Sequence, residues 1–285
     1  MFGFLNVYKP KGMTSHDVVA RLRRVTKIKQ IGHTGTLDPF AEGVLPICIG
    51  KATRLIEYLN DDKEYLATVQ FGSNTDTYDL EGEIVETFDK KVTQDDVEAN
   101  LKDFEGEISQ YPPIYSAIKV NGKKLYDYAR EGKEVEIKPR NVYISKIELK
   151  SFDSETQTAE ILVACSKGTY IRSIAYDLGK KLACGGHLVK LIRTQAGKFL
   201  VNASINLEDF DNAEIVSQNL VNPVKMLDLP MLEISDDEYK KVLQGQYFYN
   251  NSIKANGFII LIYNNSVAAV AELENSKIKV KKVFG

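Results

Sequence analysis

The chain has 285 residues, 44% hydrophobic and 27% charged, with no low-complexity tract, which excludes a disordered protein and leaves enough apolar surface for a sizeable core. Its formal net charge of −2 excludes a uniformly basic nucleic-acid binder, so any phosphate recognition must rest on local clusters. No run approaches the ~18 apolar residues of a membrane helix, Met1–Asn6 lacks a basic region and cleavage site, and Cys48, Cys165 and Cys184 are odd in number without Cys-x-x-Cys spacing; a soluble, cytoplasmic protein without disulfides is expected.

Phe4–Tyr8 alternates as a short strand, and Lys9-Pro10-Lys11-Gly12 is a turn. Thr14 and Asp17 have capping-box spacing before a helix whose apolar face holds Val18, Val19, Leu22 and Val25, turning Arg21 and Arg24 outward. Up to Gln30, Asp17 alone opposes Lys9, Lys11, Arg21, Arg23, Arg24, Lys27 and Lys29. The glycines and prolines from Gly32 to Gly43 predict a shaped loop that presents Asp38 on a backbone stiffened by Pro39, with Val44–Ile49 a buried strand or buried connection behind it. Such an aspartate serves more often in a turn or cap than as a nucleophile. Gly43 and Gly50-Lys51 do not make a phosphate-binding P-loop, because the spacing is too long and Ala52 follows the lysine.

Ala52–Leu59 reads as helical, Tyr65–Phe71 as a strand, and Thr75–Gly82 as a polar loop whose acids can order it through Asx-turns. Thr93 and Asp96 cap a helix carrying Val97, Leu101 and Phe104 inward. Asn121-Gly122 marks a hairpin before a short helix at Leu125–Arg130, in a second basic stretch diluted by acids. Val142–Leu149 and Thr158–Cys165 are strands; Ile171, Ile174, Ala175 and Leu178 then mark a helix with Arg172 at its start. The helix dipole gives a cation nothing there, so Arg172 needs a partner. After Asp228 the texture changes to Leu232–Ile234, a helical Asp236–Leu243, then Phe258–Tyr263, an Asn264-Asn265 turn, Val267–Leu273 and Ile278–Phe284, a small β-rich unit. His16, His33 and His187 show no metal-ligand spacing, and no metal or cofactor is expected.

The string Gly-His-Thr-Gly-Thr-Leu-Asp-Pro-x-Ala-x-Gly-x-Leu-Pro, read from Gly32 to Pro46, resembles the signature of the TruB family of bacterial tRNA pseudouridine synthases. The resemblance extends through Lys9–Ser15, Lys63-Glu64-Tyr65, Thr75–Gly82, Tyr111–Arg130, Gly168–Arg172 and Leu191–Phe199, nearly all of Met1 to Phe199. It implies an α+β pseudouridine synthase fold, with a central mixed, mainly antiparallel sheet flanked by helices. The implied division is a catalytic domain over 1–228 and a PUA-like RNA-binding domain over 229–285.

The resemblance also implies isomerisation of a T-loop uridine of tRNA, position 55, with Asp38 as nucleophile, Arg172 its ion-pair partner and Tyr65 stacking on the flipped base. His33 and Tyr170 would contact the extruded nucleotide and Leu191 would line the pocket, while Lys9, Lys11, Arg21 and Arg24 are candidates for the RNA backbone. Arg172 is expected to lower the pKa of Asp38, by roughly 1 to 3 units. The expected partner is the tRNA T stem-loop, met by a monomer with no obligatory protein partner. The competing class is a non-catalytic structured-RNA-binding protein in which the aspartate is structural.

Overall fold

The computed structural model describes all 285 residues. Its main unit is a ten-stranded mixed sheet. Eight strands form the principal path: β1 (Gly3–Lys9), β2 (Glu42–Ile49), β3 (Lys63–Phe71), β4 (Gly106–Gln110), β5 (Arg140–Asp153), β6 (Thr158–Cys165), β7 (Gly186–Ala196) and β8 (Ile205–Asn206). They lie in the order β8-β1-β2-β7-β3-β6-β5-β4, with only β8/β1 and β2/β7 parallel, so the sheet is mixed and mainly antiparallel as expected.

The central strand β3 alternates strictly, burying Lys63, Tyr65, Ala67, Val69 and Phe71 on one face. Helix α1 (Ser15–Thr26) starts at the Thr14–Asp17 capping box and buries Val18, Val19 and Leu22. Helices α2 (Gln94–Leu101) and α3 (Leu125–Arg130) follow, the first capped by Thr93 and Asp96 as the spacing predicts. Gly50–Tyr58 is a 3-10 helix, not an α-helix; its buried Ala52 and Leu55 stand three apart, the repeat that a three-residue turn places on one face.

Helix α4 (Ile171–Lys181) buries Ile171, Ile174, Ala175 and Leu178 in the core shared with β3 and β6. Its Gly179 meets the start of β7 at backbone contact: a Cβ there would lie 2.2 Å from the Gly185 carbonyl carbon. No larger residue fits, and the close approach fixes the helix that carries Arg172.

After a short helix α5 (Ala213–Gln218), a five-stranded sheet begins: β9 (Met231–Glu233), β10 (Phe248–Tyr249), β11 (Gly257–Tyr263), β12 (Ser266–Glu274) and β13 (Lys277–Val283), ordered β9-β11-β12-β13-β10, with helix α6 (Asp236–Leu243) beside it. Asn264 and Asn265 both take positive φ, 47° and 57°, and close the β11–β12 hairpin. This half-barrel is not free of the main unit. Ile260, Val267, Val270 and Phe284 share one apolar cluster with Phe4, Val44, Cys48 and Phe199.

Candidate active site

The loop from Thr34 to Ala41 rests on backbone bonds and buried side chains. Ser15, the first residue of α1, is buried and bonds both polar groups of Leu37: its Oγ accepts from Leu37 N–H at 2.8 Å and donates to Leu37 O at 3.0 Å. Gly12 N–H donates to Pro39 O at 2.8 Å, and Ala41 N–H to Asp38 O at 3.1 Å. Leu37, Phe40 and Ala41 join the main core cluster. Asp38 is thus held on both sides, with 34% of its side chain exposed.

Arg172 reaches this aspartate from the first turn of α4. Its Nε lies 3.0 Å from Asp38 Oδ2 and its Nη1 3.2 Å from Asp79 Oδ2. The same guanidinium donates to Thr77 O at 3.2 Å and Tyr115 O at 3.0 Å, so one buried cation gathers three separate loops. The neighbouring Ser173 and Tyr170 tie α4 to the same region, through Tyr111 O and the side chain of Gln110.

The floor of the site is a row of neighbouring strands. Tyr65 on β3 pairs with Arg193 on β7, which pairs in turn with Gly43 on β2; Leu191, two residues back on β7, faces the same way beside Ala67. Tyr65 and Leu191 are buried in the core cluster with Leu37. Burial pushes the Tyr65 hydroxyl above an ordinary phenol, opposed by the Arg193 charge, so it is protonated at neutral pH. Burial likewise raises Tyr170, which is half-buried at the N-cap of α4. His33 is half-buried with no partner for Nδ1; burial, then the charge of Arg193, holds its pKa below the usual imidazole value.

Residues 23–171 match the family described as "TruB family pseudouridylate synthase (N terminal domain)", and residues 172–231 match "tRNA pseudouridylate synthase B C-terminal domain". This chain belongs to the TruB family of pseudouridine synthases. It is 43% identical to the tRNA pseudouridine synthase B of Caldanaerobacter subterraneus subsp. tengcongensis over 99% of both chains. It is 39% identical to that of Clostridium kluyveri over the whole of both chains. Among solved structures it resembles a chain of the archaeal box H/ACA sRNP Nop10-Cbf5 complex, with a TM-score of 0.72 and 26% identity over 99% of this chain and 86% of that one. The two TruB matches meet inside α4, between Ile171 and Arg172, so they divide the sequence and not the sheet.

Within this TruB-family site, two expectations are corrected. Lys9 is not available to an RNA phosphate: it is fully buried, and its Nζ donates to Met13 O at 2.7 Å, Pro10 O at 2.9 Å and Pro39 O at 3.3 Å. Burial lowers its pKa to about 8. Lys11 and Arg24 are exposed, and Arg21 is half-occupied by Glu208 O and Asp211. The pKa of Asp38 is raised, not lowered: burial dominates, Arg172 opposes it, and the like charge of Asp79 adds to it.

Two residues escaped the sequence reading. Asp79, 3% exposed, orders its loop through Thr77 and Glu81 N–H as the spacing suggests, but it also pairs with Arg172. Arg193, 1% exposed beside Leu191, has no role that the sequence alone assigns. The available signal was its inward parity on a strand, where an arginine is costly.

Proposed function

We propose that this TruB-family synthase isomerises the T-loop uridine of tRNA, position 55, to pseudouridine, with Asp38 as the nucleophilic carboxylate. The observation that carries the reading is Asp38, partly exposed on a braced loop, at 3.0 Å from the buried Arg172. The reaction breaks the bond from uracil N1 to C1′, turns the base, joins C5 to C1′, and moves the C5 proton to solvent while N1 gains one. No redox change is needed. A carboxylate can act by attack on C1′, by attack on C6, or by starting an elimination, and each route requires an anion held against the flipped nucleotide.

Arg172 holds Asp38 in place and favours its ionised form against burial. Tyr65, a neutral phenol, offers its ring to the base and its hydroxyl as a proton relay, with Leu191 beside it and Tyr170 at the rim. A planar neutral imidazole at His33 suits stacking in the RNA loop. Lys11, Arg21 and Arg24 supply phosphate contacts, and residues 229–285 form a PUA-like RNA-binding domain on the catalytic domain 1–228. All the proposed reacting groups come from one chain, so the site needs no second copy to complete it, and the proposed action is that of a monomer on tRNA in the cytoplasm.

The test is tritium release from T-loop RNA labelled at uracil C5. Wild type should release tritium; Asp38→Asn should not, with tRNA affinity changed by no more than a few-fold because phosphate contacts dominate binding. Release by Asp38→Asn at near wild-type rate would overturn the nucleophile assignment.

A further inference from the structure

Arg193 is the largest fully buried side chain in the protein, yet its guanidinium has no carboxylate partner: it donates to three carbonyl oxygens, and its charge lies beside the Tyr65 hydroxyl. Nε donates to Val44 O at 2.6 Å, Nη1 to Thr36 O at 3.3 Å and Nη2 to Gly35 O at 3.3 Å. Burying a cation against neutral acceptors is unfavourable compared with an apolar residue of similar volume. Buried Lys63, although paired with Asp61 at 3.3 Å, adds a second cation close enough for the two charges to repel. A side chain of this kind makes sense only if the three bonds fix something that an apolar side chain cannot.

What they fix are the two ends of the Asp38 loop. Gly35 and Thr36 enter it, and Val44 follows it on β2. The backbone of Arg193 is clamped at the same place: it pairs with Gly43, where φ is 109° and a Cβ would lie 2.3 Å from Arg193 O. Its other neighbour in the sheet is Tyr65. Arg193 is therefore joined to the loop that presents Asp38 and to the strand that presents Tyr65.

We propose that Arg193 is a positioning residue for the isomerisation: its planar fork ties the Asp38 loop to the sheet beside Tyr65 and keeps the two groups at a fixed spacing while the uracil detaches, turns and rejoins. This rests on the reaction assigned above. The fork shape is essential, because three carbonyls in different directions need Nε and both terminal nitrogens, and a lysine ammonium cannot span them.

The test compares Arg193→Lys, which keeps charge without the fork, and Arg193→Gln, which keeps amide donors without charge, in the full-length protein on C5-tritiated T-loop RNA. Single-turnover release should slow on the order of 10- to 100-fold in both, as expected for misplaced reacting groups, while the Kd for RNA stays within about threefold. Hydrogen exchange should rise over residues 34–41 and stay unchanged over residues 65–71, a split that general destabilisation would not produce. The inference fails if either folded variant turns over at wild-type rate, if affinity falls in step with rate, if protection is lost across loop and sheet alike, or if both variants unfold. A silent wild type would overturn the reaction assignment and this inference with it; an active wild type with equally active variants overturns this inference alone.

Discussion

Arg172 and Asp38 touch at 3.0 Å, Nε to Oδ2, yet the N–H of that nitrogen is not aimed at the carboxylate and makes no aligned hydrogen bond. The guanidinium is shared with Asp79, whose carboxylate is the more buried of the two. Asp38 is accordingly left with a pKa above 3.8, raised chiefly by burial. The acid limb of the single-turnover rate should therefore have its midpoint above 3.8, and Asp79→Asn should move it down by removing the like charge and the competitor. A limb at or below 3.8 in wild type would contradict the arrangement.

The same shift fixes a sign for stability. Between 3.8 and its raised folded value, Asp38 binds its proton more tightly in the folded state, so this group's contribution falls as pH rises through that window. At pH 7 the partly desolvated anion opposes folding, and Asp38→Asn should melt somewhat above wild type, the advantage vanishing as pH falls below 3.8. Thermal melts across the acid range check this; an Asn variant less stable at pH 7 would show that Arg172 outweighs burial.

Removing the cation is a harsher change. Arg172→Met leaves two carboxylates without their partner and should lose about 3 to 5 kcal/mol along with turnover. Since Asp79 has 5% of its side chain exposed and Asp38 34%, most of that penalty belongs to Asp79. Adding Asp79→Asn to Arg172→Met should thus recover more melting temperature than adding Asp38→Asn, and neither should recover activity. Equal recovery would mean that the two carboxylates are equally desolvated.

How far the sequence reached follows from what it encodes locally. The capping boxes at Thr14 and Thr93, the Asn264-Asn265 hairpin and the strand at Thr158–Cys165 depend on neighbours within a few residues, and all stand where the spacing places them. The ion pair of Asp38 with Arg172 spans most of the main unit and came only through family resemblance, since nothing local to Arg172 names its partner. Charge counting misled at Lys9. A lysine beside a proline in a basic stretch looks solvated, and only the fold reveals that Met13, Pro10 and Pro39 carbonyls enclose it. Asp79 was hidden for a related reason: its loop-ordering bonds are local and legible, its bond to Arg172 is neither.

Lys9 and its exposed neighbours should separate cleanly in a salt titration. Lys11→Ala and Arg24→Ala should each lower the slope of log affinity against log salt, by about 0.7 to 0.9 for every phosphate left unneutralised, with unchanged melting. Lys9→Met should leave that slope alone and instead lose roughly 1 to 3 kcal/mol of stability, because buried carbonyls lose their donor. Fluorescence anisotropy with labelled tRNA at several salt concentrations checks the first part and thermal melts the second. A reduced slope in Lys9→Met would return Lys9 to the RNA-facing surface.

The half-barrel is packed onto the main sheet, and that packing gives it a share in the stability of residues 1–228. Ending the chain after Asp228 would uncover Phe4, Val44, Cys48 and Phe199, which now share a cluster with Ile260, Val267, Val270 and Phe284. It would also remove the bond from Arg54 to Val283 O at 3.0 Å and the ion pair of Glu57 with Lys282. The ion pair is exposed and adds little, so the apolar loss decides the outcome. With about 1.5 to 3 kcal/mol for each large side chain fully returned to water, and partial exposure of several, the 1–228 fragment should melt on the order of 5 to 10 °C lower and bind a hydrophobic dye. It should also bind tRNA more weakly, while whatever fraction stays folded releases tritium, because Asp38, Arg172, Tyr65 and Arg193 all lie before the cut. A fragment that melts with the full-length protein would show that the shared cluster contributes nothing to holding the catalytic sheet together.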